Sequence, residues 1–212
     1  MSRIKNVIQY FKHDEKRIRD DRWIFLSMLI GAIFSLVAAF VLSVEAVELA
    51  KNPNADLSCS ISVVVNCATV ALHPTAAFFG FPNSFIGLMA ESVVITVAIA
   101  GLAGVKFPRR FMFAAQIGYT LGLLFAALLF YISFNIIGAL CPWCLVVTLS
   151  TTFVFFSMTR YNIREENLYL PKKASKAAQK FIAKDYDKMI LWGIIALAAA
   201  AIILKYGEGL FA

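Results

Sequence analysis

Four cysteines, Cys59, Cys67, Cys141 and Cys144, are the residues of this chain best suited to chemistry. Cys141 and Cys144 bracket Pro142 and Trp143 in a C-x-x-C motif. Gly138 interrupts the pattern before the motif, and proline suits a first helical position, so a helix is predicted to open here with Cys141 near its N-cap. At that place the helix dipole and free backbone N–H groups favour a thiolate. So small a ring suits a disulfide made and broken in turnover, because a static bridge over it removes little chain entropy. Zinc would need two further ligands, and the only histidines are His13 and His73. A four-cysteine zinc site stays open as an alternative, but no metal is expected. Haem attachment of the c type needs a histidine after the motif, where Leu145 stands. Cys59 and Cys67 are separated by seven residues, a loop able to close either a structural bridge or a second redox pair. Two neighbouring pairs can relay electrons, one thiolate attacking the other disulfide.

The elements that must position these thiols are membrane spans. Of the 212 residues 60% are hydrophobic and 16% charged, more apolar surface than a soluble domain of this length hides. Five stretches meet or approach the roughly 20 apolar residues of a spanning helix: residues 23–49, 85–105, 111–134, 141–158 and 189–204. The first is too long for a signal-peptide core of about 7–15 residues, so it is read as permanent. The expected organisation is a cytoplasmic amphipathic basic segment at 1–22 and a four-helix core at 23–158 with an external loop at 50–84. A basic cytoplasmic linker at 159–188 and a fifth transmembrane helix with an external tail at 189–212 complete it.

The Lys and Arg count of the successive non-membrane segments runs seven, one, three, none, eight and one. That alternation puts the N-terminus in the cytoplasm and the C-terminus outside. It also places all four cysteines on the outer face, where disulfides form and persist. The net charge of +7 is thus a topology signal that favours anionic lipid, and no nucleic-acid role is expected. In residues 4–11, Ile4, Val7, Ile8 and Phe11 share one helical face, as in a helix lying on the membrane surface. The linker at 171–188 is rich in helix formers.

Residues 61–85 carry no Lys, Arg, Asp or Glu. A free external loop is polar, so this one is expected to fold onto the mouth of the bundle, bringing Cys67 near Cys141 and shielding an apolar ligand site. Glu91 lies about 10 Å below Ser84 along a helix. An acid at that depth is a functional candidate; a carboxyl bonded inside the bundle is the expected role, a proton relay the alternative. Glu45 and Glu48 are read as a solvated helix end, His73 as a loop or interface residue and Trp143 as an interfacial ring.

Taken together, these motifs resemble the vitamin K epoxide reductase (VKOR) family over about residues 20–160. The resemblance rests on the Cys59 and Cys67 spacing, on the run Gly80-Phe81-Pro82-Asn83-Ser84-Phe85-Ile86-Gly87, on Cys141-Pro142-Trp143-Cys144, and on their order. It implies an all-α integral membrane protein, a four-helix bundle around a quinone with a fifth transmembrane helix added. It implies that Cys59 exchanges with a reduced partner, Cys67 carries electrons to Cys141, and Cys144 delivers them to the quinone. Asn83 is similar to the family asparagine that binds a quinone carbonyl. Thr148 stands where vertebrate members carry a tyrosine, and Phe85 is a further candidate for the quinone site.

The fifth span favours the prokaryotic, disulfide-generating branch. It implies a thioredoxin-like (DsbA-like) thiol partner, on a separate chain or on a part not included here. Ubiquinone or a menaquinone (vitamin K-like) quinone is the acceptor, and the bacterial plasma membrane is the setting, with the ER membrane as alternative. Other readings are a vertebrate-type epoxide and quinone reductase, a DsbB-type oxidase, in which the C-x-x-C comes first, and a transporter or anchor protein with structural disulfides.

Overall fold

The computed structural model of the chain describes Tyr10, residues 15–55, Leu57 and residues 59–211. Its helices are α1 (Lys16–Lys51), α2 (Cys67–Ala71), α3 (Ser84–Leu102), α4 (Arg109–Ile132), α5 (Pro142–Arg164), α6 (Lys172–Ala183) and α7 (Tyr186–Phe211). A 3-10 turn at Pro74–Ala77 and a π-helical turn at Ser133–Ile137 complete the list. Five stretches are long and apolar enough to cross a membrane: Arg17–Lys51, Ser84–Leu102, Arg109–Ile137, Pro142–Arg164 and Tyr186–Gly207. They coincide with the five predicted spans. α1 and α5 run longer because their charged ends continue the helix past the apolar stretch. The chain is an all-α integral membrane protein. The amphipathic segment expected at 4–11 lies, Tyr10 apart, outside the described residues.

α1 packs against α3 and α5, α4 packs on α5, and α7 lies against α5 as well. The shared core joins Phe25, Met28 and Ala32 of α1 with Val97 and Ala98 of α3, Met112 and Tyr119 of α4, and Val154 and Met158 of α5. Small residues set the approach of the backbones, as is usual between helices in lipid. A Cβ on Gly101 would run into the ring of Phe25, and one on Gly31 would come within 2.8 Å of Val154 Cγ2. Phe34, Phe40, Leu121, Leu124 and Leu204 point outward, as lipid-facing side chains do.

Polar side chains inside this bundle are paired. The buried Glu91 accepts hydrogen bonds from Ser35 Oγ (3.0 Å) and Tyr119 OH (3.0 Å), so it is a carboxyl bonded inside the bundle. At the end of the bundle away from the cysteines, Asn162 is fully buried. It donates to Gln116 Oε1 (2.9 Å) and accepts from Asn167 Nδ2 (2.9 Å). Ion pairs close that end: Arg17 to Glu165 (2.7 Å), Arg164 to Asp21 (3.1 Å), and Arg160 to both Asp185 and Asp187 (2.8 Å each). The last two tie α5 to the start of α7. Between the helices, hydrogen bonds from Lys188 and Arg160 hold the Asp185 carboxyl below the ordinary aspartate range.

Candidate redox site

Cys67 opens α2, whose N-cap is Asn66; the Asn66 Oδ1 accepts from Thr69 N at 2.9 Å. Cys141 is itself the N-cap of α5, with Pro142 in the first turn. Its Sγ accepts from the backbone N–H of Cys144 at 3.3 Å. This is the placement predicted from the motif. The accepted backbone N–H and the N-cap position both favour a thiolate at Cys141.

A parallel β-bridge pairs Val65 with Leu140. Leu140 N–H donates to Val64 O (2.7 Å), and Asn66 N–H donates to Leu140 O (3.0 Å). The residues that follow, Cys67 and Cys141, are thereby set side by side: their Sγ atoms are 3.3 Å apart. Cys59 and Cys67 form a disulfide, whereas Cys141 and Cys144 are free thiols. Cys59, Cys67 and Cys141 are buried with Leu49 and Leu57 in one apolar cluster, edged by Leu42, Trp143 and Cys144. The Cys67–Cys141 separation is within the ~3–3.5 Å of a near-attack geometry, so a thiolate on either side stands within reach of the other sulfur.

The chain approaches Cys141 through an unusual turn. α4 widens into the π-turn, which ends at Gly138 with φ 74°, a left-handed conformation that glycine adopts without strain. Ser133 Oγ donates to Ala139 O (2.5 Å) across this turn. The carbonyl of Phe134 accepts from Lys205 Nζ (2.5 Å) and Tyr206 OH (2.6 Å), both on α7.

On the other side, the 3-10 turn is capped by His73, whose Nδ1 accepts from Thr75 N (3.3 Å). Asn83 holds the end of this loop: its Nδ2 donates to Thr75 O (2.7 Å) and its Oδ1 accepts from Phe78 N (3.2 Å). Phe78 and Phe79 pack on Phe125 of α4 with ring centroids 5.9 and 5.5 Å apart. Ser43 Oγ donates to Ser84 Oγ (2.9 Å), fixing the start of α3, with the half-buried Phe85, against the C-terminal part of α1. Thr148 Oγ1 donates to Cys144 O (2.9 Å) one turn into α5. The fold thus gathers the four cysteines. The hydrogen bonds of Asn83 stay within its own loop.

Glu45 corrects the sequence reading. It is not part of a solvated helix end: it is 5% exposed, and both its carboxylate oxygens lie 3.4 Å from Cys59 Sγ. Glu48, three residues on, is exposed as expected. The uncharged loop was a partial signal: a loop that folds over the bundle mouth buries part of what α1 presents there, without marking which glutamate. Glu45, Cys59 and Cys67 offer ligand atoms within 4.8 Å of one another, but the two sulfurs are bonded to each other.

The family model for the vitamin K epoxide reductase family matches residues 26–159. The chain belongs to this family. No curated protein matches it. The stretch matched to the vitamin K epoxide reductase family runs from α1 into α5 and contains all four cysteines, while α6 and α7 lie beyond it. Membership makes the chain a membrane oxidoreductase of the disulfide and quinone kind, and the paired cysteines fit that kind of chemistry.

Proposed function

We propose that this protein takes electrons from a reduced thioredoxin-like (DsbA-like) partner, passes them through Cys59/Cys67 and Cys141/Cys144, and gives them to a membrane quinone. Its product is a disulfide in the partner, made outside the cytoplasm. The 3.3 Å separation of Cys67 Sγ and Cys141 Sγ carries the reading, because it joins the two pairs into one path.

A partner thiolate attacks Cys59 Sγ and the Cys59–Cys67 bond opens, its electron pair going to Cys67. Cys67 attacks Cys141 in a Cys141–Cys144 disulfide and expels Cys144 as thiolate. Cys59, released when the partner closes its own disulfide, then attacks Cys67 and expels Cys141. The end state is a closed outer pair and a reduced inner pair, the bonding found here. Burial of Cys67 and Cys141 keeps water from the inner exchange.

A bound quinone, ubiquinone or a menaquinone, supplies a sink for two electrons and two protons. Cys144, Asn83, Phe85 and Thr148 are the residues that would hold it. The donor set fits: Cys144 is the one cysteine not fully buried, and the Asn83 amide has a second N–H besides the one given to Thr75 O. Such an N–H in an apolar site orients a carbonyl and stabilises charge developing on its oxygen. Thr148 offers a methyl and lone pairs, since its hydroxyl proton goes to Cys144 O.

The segment boundaries read from the sequence and the alternation of basic residues belong to the same proposal. They place the N-terminus and the linker at 159–188 in the cytoplasm and the cysteines on the outer face of a bacterial plasma membrane.

The test is reduction of a ubiquinone or menaquinone analogue by the purified protein with a reduced thioredoxin-like donor, for wild type and Cys144→Ala. Turnover by the wild type that disappears in the variant is expected. If neither reduces any quinone with any donor, the cysteines are structural staples and the reading fails.

A further inference from the structure

Glu45 is a buried acid beside the sulfurs that the electron path leaves unused. Its two oxygens sit at equal distance, 3.4 Å, from Cys59 Sγ, and it shares the sulfur cluster's burial at 5% exposure. Here the neighbour is a sulfur that, in the proposed relay, leaves the partner as a thiolate and attacks Cys67 as one, a charge that an apolar site holds only at a cost. Water has poor access to that sulfur, because Cys59 is itself 5% exposed and packed among Leu49, Leu57, Cys67 and Cys141. A group that lends a proton and takes it back lowers that cost, and on α1 Glu45 is the acid that lies at the sulfur.

We infer that Glu45 is the proton-exchanging group of Cys59, a catalytic acid and base for the outer disulfide. The inference rests on the proposed relay. With the outer disulfide closed, the Glu45 carboxyl carries the proton. When the partner's second thiolate attacks its own mixed disulfide with Cys59, the bond between the two proteins breaks. The electron pair goes to Cys59, which takes its proton from Glu45. In the return step Glu45, now a carboxylate, removes that proton as Cys59 attacks Cys67 Sγ. The Cys67–Cys141 bond breaks with its electron pair going to Cys141, and Glu45 is protonated again. Over the cycle no proton is gained or lost at Glu45, and no further reagent is needed. The arrangement also keeps a thiolate and a carboxylate from facing each other across an apolar contact, where like charges repel most.

Among the described residues, the other titratable groups packed around this pair are Cys67 on the loop and Cys141 and Cys144 on α5. Glu48 and Lys51, on the same helix, are exposed.

The experiment compares wild type, Glu45→Gln and Glu45→Asp in full-length protein over pH 6–10. It measures quinone reduction with the thioredoxin-like donor and, separately, the rate at which iodoacetamide labels Cys59 in fully reduced protein, read by peptide mass. A free cysteine is only about 3% thiolate at pH 7, which limits what a base can add there to roughly 30-fold. Glu45→Gln is expected to slow turnover about tenfold at pH 7, with the deficit closing to about twofold by pH 9.5, where Cys59 ionises unaided. Its Cys59 labels more slowly than in wild type at pH 7, with the gap closing by pH 9.5, because the base that takes its proton is gone. Glu45→Asp regains part of the rate. A loss of equal size at every pH, with unchanged labelling of Cys59, would overturn the inference and leave Glu45 a structural residue. Absence of turnover in wild type itself would count against the relay instead, while the labelling shift still reports whether Glu45 and Cys59 share a proton.

Discussion

At one end of the bundle Arg17, Arg160 and Arg164 meet Glu165, Asp185, Asp187 and Asp21 across helix ends. At the other end the elements meet through a β-bridge, a disulfide and a sulfur-to-sulfur approach. The first set joins groups whose partners stay the same, and the buried Asn162–Gln116–Asn167 network reinforces it. The second set includes bonds that the proposed relay breaks and remakes. A helix bundle can carry such exchangeable contacts at one mouth because its alignment is secured elsewhere, by the shared core and by the charged end. Substitutions at the two ends are therefore expected to separate activity from stability.

The largest effect is expected from Cys141→Ser. Quinone reduction falls to background, a loss of about a thousandfold or more, as for removal of a group that acts with others as a unit. The Cys59–Cys67 disulfide still forms, which peptide mass after alkylation checks. Next comes Leu140→Pro, which deletes the N–H bonded to Val64 O. A misplacement of the sulfurs by a fraction of an ångström is expected to slow turnover roughly tenfold, visible as slower trapping of a Cys67–Cys141 link. At the charged end, Arg160→Ala leaves Asp187 without its partner and is expected to lower stability by about 1–3 kcal/mol, given that the pair is only partly buried. Thermal melting in detergent measures this, and activity per folded molecule stays near wild type. Arg17→Ala breaks an exposed pair and is expected to cost less than about 1 kcal/mol.

Acid refines the comparison. The carboxyl of Asp185 has a lowered folded-state value, so its contribution is present above the ordinary aspartate value and is lost as the pH falls through the lowered one. Protease sensitivity at the α6–α7 junction is expected to rise over that acid window, and not between pH 6 and 8. Equal sensitivity throughout would show that Asp185 contributes nothing to holding α7.

The five spans were legible because hydropathy is a local property of the chain, and the meeting of the cysteines was legible because two motifs and an uncharged loop pointed to one mouth. What could not be read depends on contacts between residues far apart in sequence. Nothing local distinguishes Glu45 from Glu48: they sit three residues apart on one helix, and only the loop that covers one of them decides. Ser35 and Tyr119 as partners of Glu91 come from two other spans. The β-bridge involves single residues of unremarkable type, Val65 and Leu140, and leaves no pattern in the sequence. Asn83 was recognised by its motif, but its bonds to Thr75 O and to Phe78 N follow from a turn whose shape emerges only in three dimensions.

The two bonds from Lys205 and Tyr206 to the Phe134 carbonyl have a consequence for how the molecule is made. The π-turn frees that carbonyl a few residues before Cys141, near the end of a membrane span, and an unmatched backbone group is expensive in lipid. Its partners are encoded some seventy residues later, on the last helix. During synthesis the first four spans enter the bilayer before those partners exist. The mouth that holds Cys141 is therefore finished last, when the closing helix arrives and takes up the waiting oxygen.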